Sequence, residues 1–203
     1  MDLFGFHKED LEVNNELLLS IPGLSMQYNV ISRSEEKDLI ESIDASPWLN
    51  DLKRRVQHYG YKYDYRARKI DNSFYIGELP EWLVNLRKSF FVKNIINFMP
   101  DQAIINEYEP GQGIAPHIDC EPCFGETIIT ISLGSECVMT FQKEQTKKNK
   151  IEILLPRFSL TTMTGICRHN WYHSIASRKT DKFNSRTIKR ERRISITFRK
   201  VKI

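Results

Sequence analysis

His117 and Asp119 stand two apart, so on extended backbone an imidazole and a carboxylate project to the same face. Together they are two of the three groups in the 2-His-1-carboxylate arrangement that holds non-haem Fe(II) and leaves positions open for a co-substrate and dioxygen. Alone, such a pair also occurs as a hydrogen-bonded surface feature. A second histidine must come from another strand. His173, within Trp171-Tyr172-His173-Ser174-Ile175, has a strand-like setting; His169, ahead of the aromatic run near Gly165 and Arg168, reads as a surface or supporting residue. Arg193 and Arg199 then lie six apart on an alternating run, both guanidinium groups on one face and Ile194, Ile196 and Phe198 on the other. Paired arginines on a core strand suit a dicarboxylate, which a guanidinium fork binds bidentately. On an edge strand they would instead discourage pairing between sheets.

The order H-x-D, distant His, then R-x5-R resembles the AlkB family of Fe(II)- and 2-oxoglutarate-dependent dioxygenases, over roughly Arg54 to Arg199. The resemblance implies that His117, Asp119 and His173 bind the metal. It implies further that Asn106 and Tyr108, in Asn106-Glu107-Tyr108, bind 2-oxoglutarate together with Arg193 and Arg199. Arg193 would take the far carboxylate, and Arg199 would lie near the end that chelates iron. Within that family, the stretches from Gly111 to Asp119, Ser132-Leu133-Gly134-Ser135 and Leu155 to Leu160 resemble the AlkB domain of tRNA wobble-uridine hydroxylases. Those enzymes typically carry an RNA-recognition and a methyltransferase domain, and these 203 residues hold neither. The implied cofactors are Fe(II), 2-oxoglutarate and O2, with ascorbate as the reductant in vitro. The implied chemistry is demethylation or hydroxylation of a modified base.

Substrate contacts are sought in residues 53–70, which carry 7 basic and 1 acidic side chains and resemble that family's nucleotide-recognition lid. Tyr59, Tyr61, Tyr63 and Tyr65 alternate there among Arg54, Arg55, Arg66 and Arg68, a composition suited to stacking on an exposed base with phosphates nearby. A half-buried tyrosine ladder is the other reading. Glu121, two beyond Asp119, falls on the face of the iron site and is a candidate contact to the base, with a solvated carboxylate as the other reading. Because a base must leave its stack to reach buried iron, the expected partner is single-stranded nucleic acid or a tRNA loop. The same chemistry on a protein or small molecule, or a silent jelly-roll binding module, are the alternatives, since fold does not fix substrate.

These groups need strands to hold them. Short strands are expected at 103–108, 127–133, 137–142, 151–155, 158–163, 172–176 and 194–201, separated by Gly- and Pro-bearing turns and the charged loop 144–150. Upstream, Tyr28-Asn29-Val30-Ile31 reads as a strand entering a capping box at Ser32, whose helix runs to about Asp44; Pro80 opens a second helix. Helices followed by many strands predict an α+β fold, a double-stranded β-helix (jelly-roll) core with N-terminal helices packed on one side. Residues 1–20 are expected to be a tail or arm and 21–203 a single domain. With 40% apolar and 28% charged residues the composition is that of a globular protein, not a disordered chain. No apolar run approaches the ~18 residues of a membrane helix. The start, Met1 to His7, lacks a basic flank and apolar core, so an intracellular, non-secreted protein without membrane association is expected; a monomer is the default expectation. Residues 178–203 carry 11 basic and 2 acidic side chains, a second candidate phosphate-facing segment, or else, like the first, a solvated basic face that binds nothing. Cys120, Cys123, Cys137 and Cys167 match no zinc spacing and read as reduced thiols.

Overall fold

The computed structural model describes residues 7–50, 53–64, 67–143 and 150–203. Tyr65, Arg66 and most of the charged loop at 144–150 lie outside the described residues. Helix α1 (Lys8–Leu19) is followed by strand β1 (Leu24–Gln27), helix α2 (Arg33–Asp44), strand β2 (Val56–Tyr59) and helix α3 (Glu81–Val92). Next come β3 (Gln102–Tyr108), β4 (Ile114–His117), β5 (Thr127–Gly134), β6 (Cys137–Gln142), β7 (Lys150–Leu155) and β8 (Leu160–Thr164). A short helix α4 (Gly165–Asn170) leads to β9 (Tyr172–Ile175), the hairpin β10 (Thr180–Phe183) and β11 (Arg186–Lys189), and finally β12 (Arg193–Arg199).

Two antiparallel sheets form the jelly roll, one in the order β1-β8-β5-β12-β3-β2 and the other β4-β9-β6-β7. β12 is central: Ile196 lies opposite Ile105 of β3 on one side and Ile131 of β5 on the other. The reading of its arginines as edge guards therefore fails. Alternation along β12 and β3 then divides the large sheet into two faces. Ala103, Ile105, Ile194, Ile196 and Phe198 pack outward with Leu39 and Ile43 of α2 and Leu83, Leu86 and Phe90 of α3. Burying each of these leucine, isoleucine and phenylalanine side chains contributes about 1.5–3 kcal/mol. The polar set Asn106, Tyr108, Arg193, Ser195, Thr197 and Arg199 is left facing the second sheet.

Local chemistry sets the boundaries. The Ser32 hydroxyl accepts from the Glu35 backbone N–H while the Glu35 carboxylate accepts from that of Ser32, a reciprocal cap on α2. The strand expected at 28–31 lies earlier, at Leu24–Gln27, because Asn29 takes a left-handed φ of 54° that ends the extended run. Likewise β8 starts at Leu160 because Phe158 has φ 65°.

The N-terminal segment also corrects the sequence reading. Lys8–Leu19 is not a loose arm but a helix docked on β7, an edge strand of the smaller sheet. Asn14 is fully buried; its amide donates to Leu154 O at 3.0 Å and accepts from Leu154 N at 2.8 Å. One side chain thereby replaces the next strand of the ladder and closes an edge that would otherwise invite pairing with another chain. Asp10 adds an ion pair to Arg186 at 2.6 Å. Asn14→Leu removes both hydrogen bonds and strands two backbone groups, so we expect a loss of about 2–3 kcal/mol. A urea titration of the two proteins checks this; an unchanged midpoint would contradict the pinning role.

Among the described residues no helix is long and apolar enough to cross a membrane.

Candidate active site

A cavity of about 320 Å³ opens between the two sheets, walled by β3 and β12 on one side and by β4 and β9 on the other. His117 ends β4 and His173 sits opposite it on β9 in direct register, with ring centroids 4.2 Å apart. That approach requires glycine upstream: a Cβ on Gly113 would stand 2.2 Å from Ile175 O, forcing β4 away from β9. Asp119 follows β4 and turns its Oδ2 towards His173 Nε2 at 3.9 Å, while Arg199 Nη2 donates to Oδ1 at 2.5 Å. His117 Nδ1 donates to the Ala115 carbonyl at 2.9 Å, which leaves Nε2 with its lone pair.

The charge states of the three groups suit a metal. Burial opposes ionisation of Asp119, but Arg199, both histidines and Arg168 outweigh it and hold the carboxyl well below its usual range. Burial, reinforced by His117, lowers His173 to about 3, and burial lowers His117 as well. At neutral pH the cluster is two neutral imidazoles and a carboxylate, the protonation states a divalent ion needs. Among the described residues no three His, Cys, Asp or Glu side chains close around a common point, so the fit rests on this donor set and its charge states.

The co-substrate end has matching features. Arg193 donates to Ser132 Oγ at 3.0 Å, but its Nε, like Nε and Nη1 of Arg199, is buried without a partner among the described residues. Such atoms are costly unless a ligand completes them. Asn106 and Tyr108 lie on the same wall, and burial raises the Tyr108 phenol so that it stays protonated. Arg54, Arg68, Arg193 and Arg199 all line the cavity against the single carboxylate of Asp119. Anions are favoured there.

The sequence candidates for substrate contact separate in the structure. Tyr59, Tyr61 and Tyr63 would share a face on a continuous strand, but β2 stops at Tyr59. Gly60 turns the chain with φ 78°, and a Cβ there would meet Asp101 O at 2.0 Å. Tyr59 packs edge-on against Trp82 at 5.7 Å and Tyr61 against Tyr75 at 5.2 Å, so only Tyr63 of these three lines the cavity. Arg54 faces inward and bonds Asn106, whereas Arg55 faces outward, donating to Glu107 at 2.5 and 2.7 Å with its guanidinium 4.8 Å from the Trp48 ring. Glu121 is outside the cavity, because the chain turns after Asp119 and carries this 64% exposed carboxylate to His169 at 3.2 Å. Most of the basic C-terminal segment is internally neutralised: Arg190 pairs with Asp181, Arg186 with Asp10 and Glu136, and Arg192 with Asp44 and Glu107.

Two features escaped the sequence. Cys120 and Cys123, read as reduced thiols, are joined by a disulfide, because the turn after Asp119 brings the two sulfurs together. Cys137 and Cys167 are free and buried, and burial pushes the Cys167 thiol up to about 12. The second is Arg168. This fully buried side chain on α4 donates to three backbone carbonyls, Asp119 at 3.0 Å, Cys120 at 3.1 Å and Gly125 at 3.3 Å. It fastens the turn that carries the Asp119 carboxylate.

Comparison with known proteins identifies the family. The sequence model of the 2OG-Fe(II) oxygenase superfamily matches residues 24–199. A protein of Arabidopsis thaliana named alkylated DNA repair protein ALKBH8 homolog is 34% identical over 91% of this chain, which spans 60% of that relative. The Macaca fascicularis tRNA (carboxymethyluridine(34)-5-O)-methyltransferase ALKBH8 is 40% identical over 79% of this chain, which covers 25% of its length. The solved structure of OsALKBH1 superposes on 88% of this chain and 97% of that one, with a TM-score of 0.67 at 15% identity, and so shares the fold. The chain belongs to the 2OG-Fe(II) oxygenase superfamily, as an AlkB-like 2-oxoglutarate-dependent dioxygenase.

Proposed function

We propose that this dioxygenase oxidises modified bases in single-stranded nucleic acid, with a tRNA loop as the leading substrate. The observation that carries the reading is that His117, Asp119 and His173 line the same cavity as Asn106, Tyr108 and Arg193. His117, Asp119 and His173 would hold Fe(II); Asn106, Tyr108, Arg193 and Arg199 would hold 2-oxoglutarate. With O2, these cofactors supply the oxidant for a substrate C–H bond, giving succinate and carbon dioxide; a hydroxylated N-methyl group is then lost as formaldehyde, whereas a carbon-attached group stays hydroxylated.

The chain's own residues bind and orient. Arg199 holds one oxygen of Asp119 and leaves the other facing His173 at 3.9 Å. No side chain need act as a general base. Tyr63 and Arg68 reach the cavity from the segment read as a lid, with Arg68 Nη2 donating to Ile118 O at 3.1 Å. An aromatic ring and a guanidinium beside the opening suit a splayed base and its phosphate. The names of the relatives, which mention DNA repair and tRNA, support a nucleic-acid substrate.

The test is nucleoside mass spectrometry after incubation with Fe(II), ascorbate, 2-oxoglutarate, total tRNA and methylated single-stranded oligonucleotides, with His117→Ala as control. A lost methyl mass or an added oxygen, absent in the control, is the expected result. Succinate formed with every nucleoside unchanged would direct the chemistry to a protein or small molecule.

A further inference from the structure

We propose that Arg54 is a positioning residue for the co-substrate, acting through Asn106, and not a contact for nucleic acid. The proposal rests on the assignment of Asn106 and Tyr108 to 2-oxoglutarate made above. Val56 of β2 lies directly opposite Asn106 of β3, and Arg54, in the bend just before β2, turns its side chain into the cavity beside Asn106. Arg55 falls on the opposite face, where it meets Glu107.

The Arg54 side chain is buried, its Nε donates to Asn106 Oδ1 at 2.9 Å, and its guanidinium lies 5.8 Å from the centre of the Tyr108 ring. Arg193 stands 5.4 Å from the same ring. An asparagine amide carries an acceptor at one end and donors at the other, nearly alike in shape, so a neighbour must decide which way it faces. A guanidinium N–H can only donate. It therefore fixes Oδ1 towards itself and leaves Nδ2, which has no protein acceptor among the described residues, as the donor offered to the cavity. A carboxylate accepts from that donor and repels the oxygen that a flipped amide would present. Arg54 thus sets the polarity of Asn106, so that the amide and Arg193 together present donors to a carboxylate.

The test titrates 2-oxoglutarate anaerobically into the Fe(II)-loaded protein by calorimetry, for wild type, Arg54→Gln, Arg54→Lys, Asn106→Ala and the Arg54→Gln/Asn106→Ala double variant. The same proteins are titrated with labelled tRNA by fluorescence anisotropy, and thermal melting confirms that each is folded. Arg54→Gln should weaken 2-oxoglutarate binding about tenfold, the size of a charge-assisted hydrogen bond. Arg54→Lys, which keeps the charge without the planar fork, should fall between it and wild type. The double variant should bind no worse than Asn106→Ala, and tRNA affinity should not change. Unaltered 2-oxoglutarate affinity in Arg54→Gln, effects that simply add in the double variant, or a loss confined to tRNA would overturn the proposal. If Arg54→Gln does not fold, Arg54→Lys decides by the same two affinities. Failure of the wild type to bind 2-oxoglutarate would instead overturn the assignment of the site, and this inference with it.

Discussion

Asp119→Ala should lose metal-dependent turnover altogether, by well over the 10–100-fold that follows loss of a group merely supporting a metal ligand. The substitution removes the one carboxylate among four cavity-lining arginines. It also deprives Arg199 Nη2 of its 2.5 Å acceptor, leaving a buried guanidinium with no counter-charge on that nitrogen. Asp119→Asn separates these effects, because its amide oxygen still accepts from Arg199 while the negative charge is gone. Succinate release measures turnover, and Co(II) absorption measures metal binding without any reaction. Both variants should fail to bind Co(II), and only Asp119→Ala should also lower the melting temperature markedly. An Asp119→Ala protein that binds Co(II) like wild type would show that the carboxylate is not a ligand.

The second large effect is expected at a residue that touches no cofactor. Arg168→Met keeps much of the side-chain volume and removes every donor, so three carbonyls buried around the turn at 119–125 lose their partners. Leaving buried acceptors unpaired costs about 1–3 kcal/mol each before relaxation, so a total of about 3–5 kcal/mol is expected. For a domain of this size that lowers the melting temperature by roughly 10 °C. Arg168→Lys carries the charge on a single ammonium that cannot span three acceptors, and should recover a minor part. Because the carbonyl of Asp119 is one of the three, Co(II) affinity should fall in both variants even at temperatures where they remain folded. Normal affinity in folded Arg168→Met would show that the turn holds its shape unaided.

Much of this was legible before any coordinates. Alternation located β6 at Cys137–Gln142 and placed Ile194, Ile196 and Phe198 opposite the two arginines, because a core strand flanked by unlike faces leaves a period-two signature. Polar segments were harder. The hairpin of β10 and β11 turns at Asn184-Ser185, both with positive φ (44° and 65°), but Ser is a weak marker of such a turn where Gly would have been a strong one. Helix α4 was hidden behind Thr164-Gly165, which reads as a turn, and behind Arg168, whose burial no local pattern betrays because its partners lie 43 to 49 positions away. Substrate candidates were misplaced for a related reason. Spacing defines a face only while the backbone stays extended, and it bends at Gly60 and again after Asp119, carrying Tyr61 and Glu121 elsewhere.

The central place of β12 has a consequence for how the protein is made. Its neighbours, β3 and β5, leave the ribosome some 60 to 90 residues before it, yet they pair with each other only through it. Until β12 arrives, β3 and β5 each expose an open ladder edge, and the wall that carries Arg193 and Arg199 does not exist. Contacts this distant in sequence close slowly, and unpaired edges are where nascent chains stick to one another. The cavity is therefore completed only once β12 has joined β3 and β5. Yield in the cell should depend on protecting that open groove during translation, and lesions in β12 should surface as aggregated protein before they surface as an inactive enzyme.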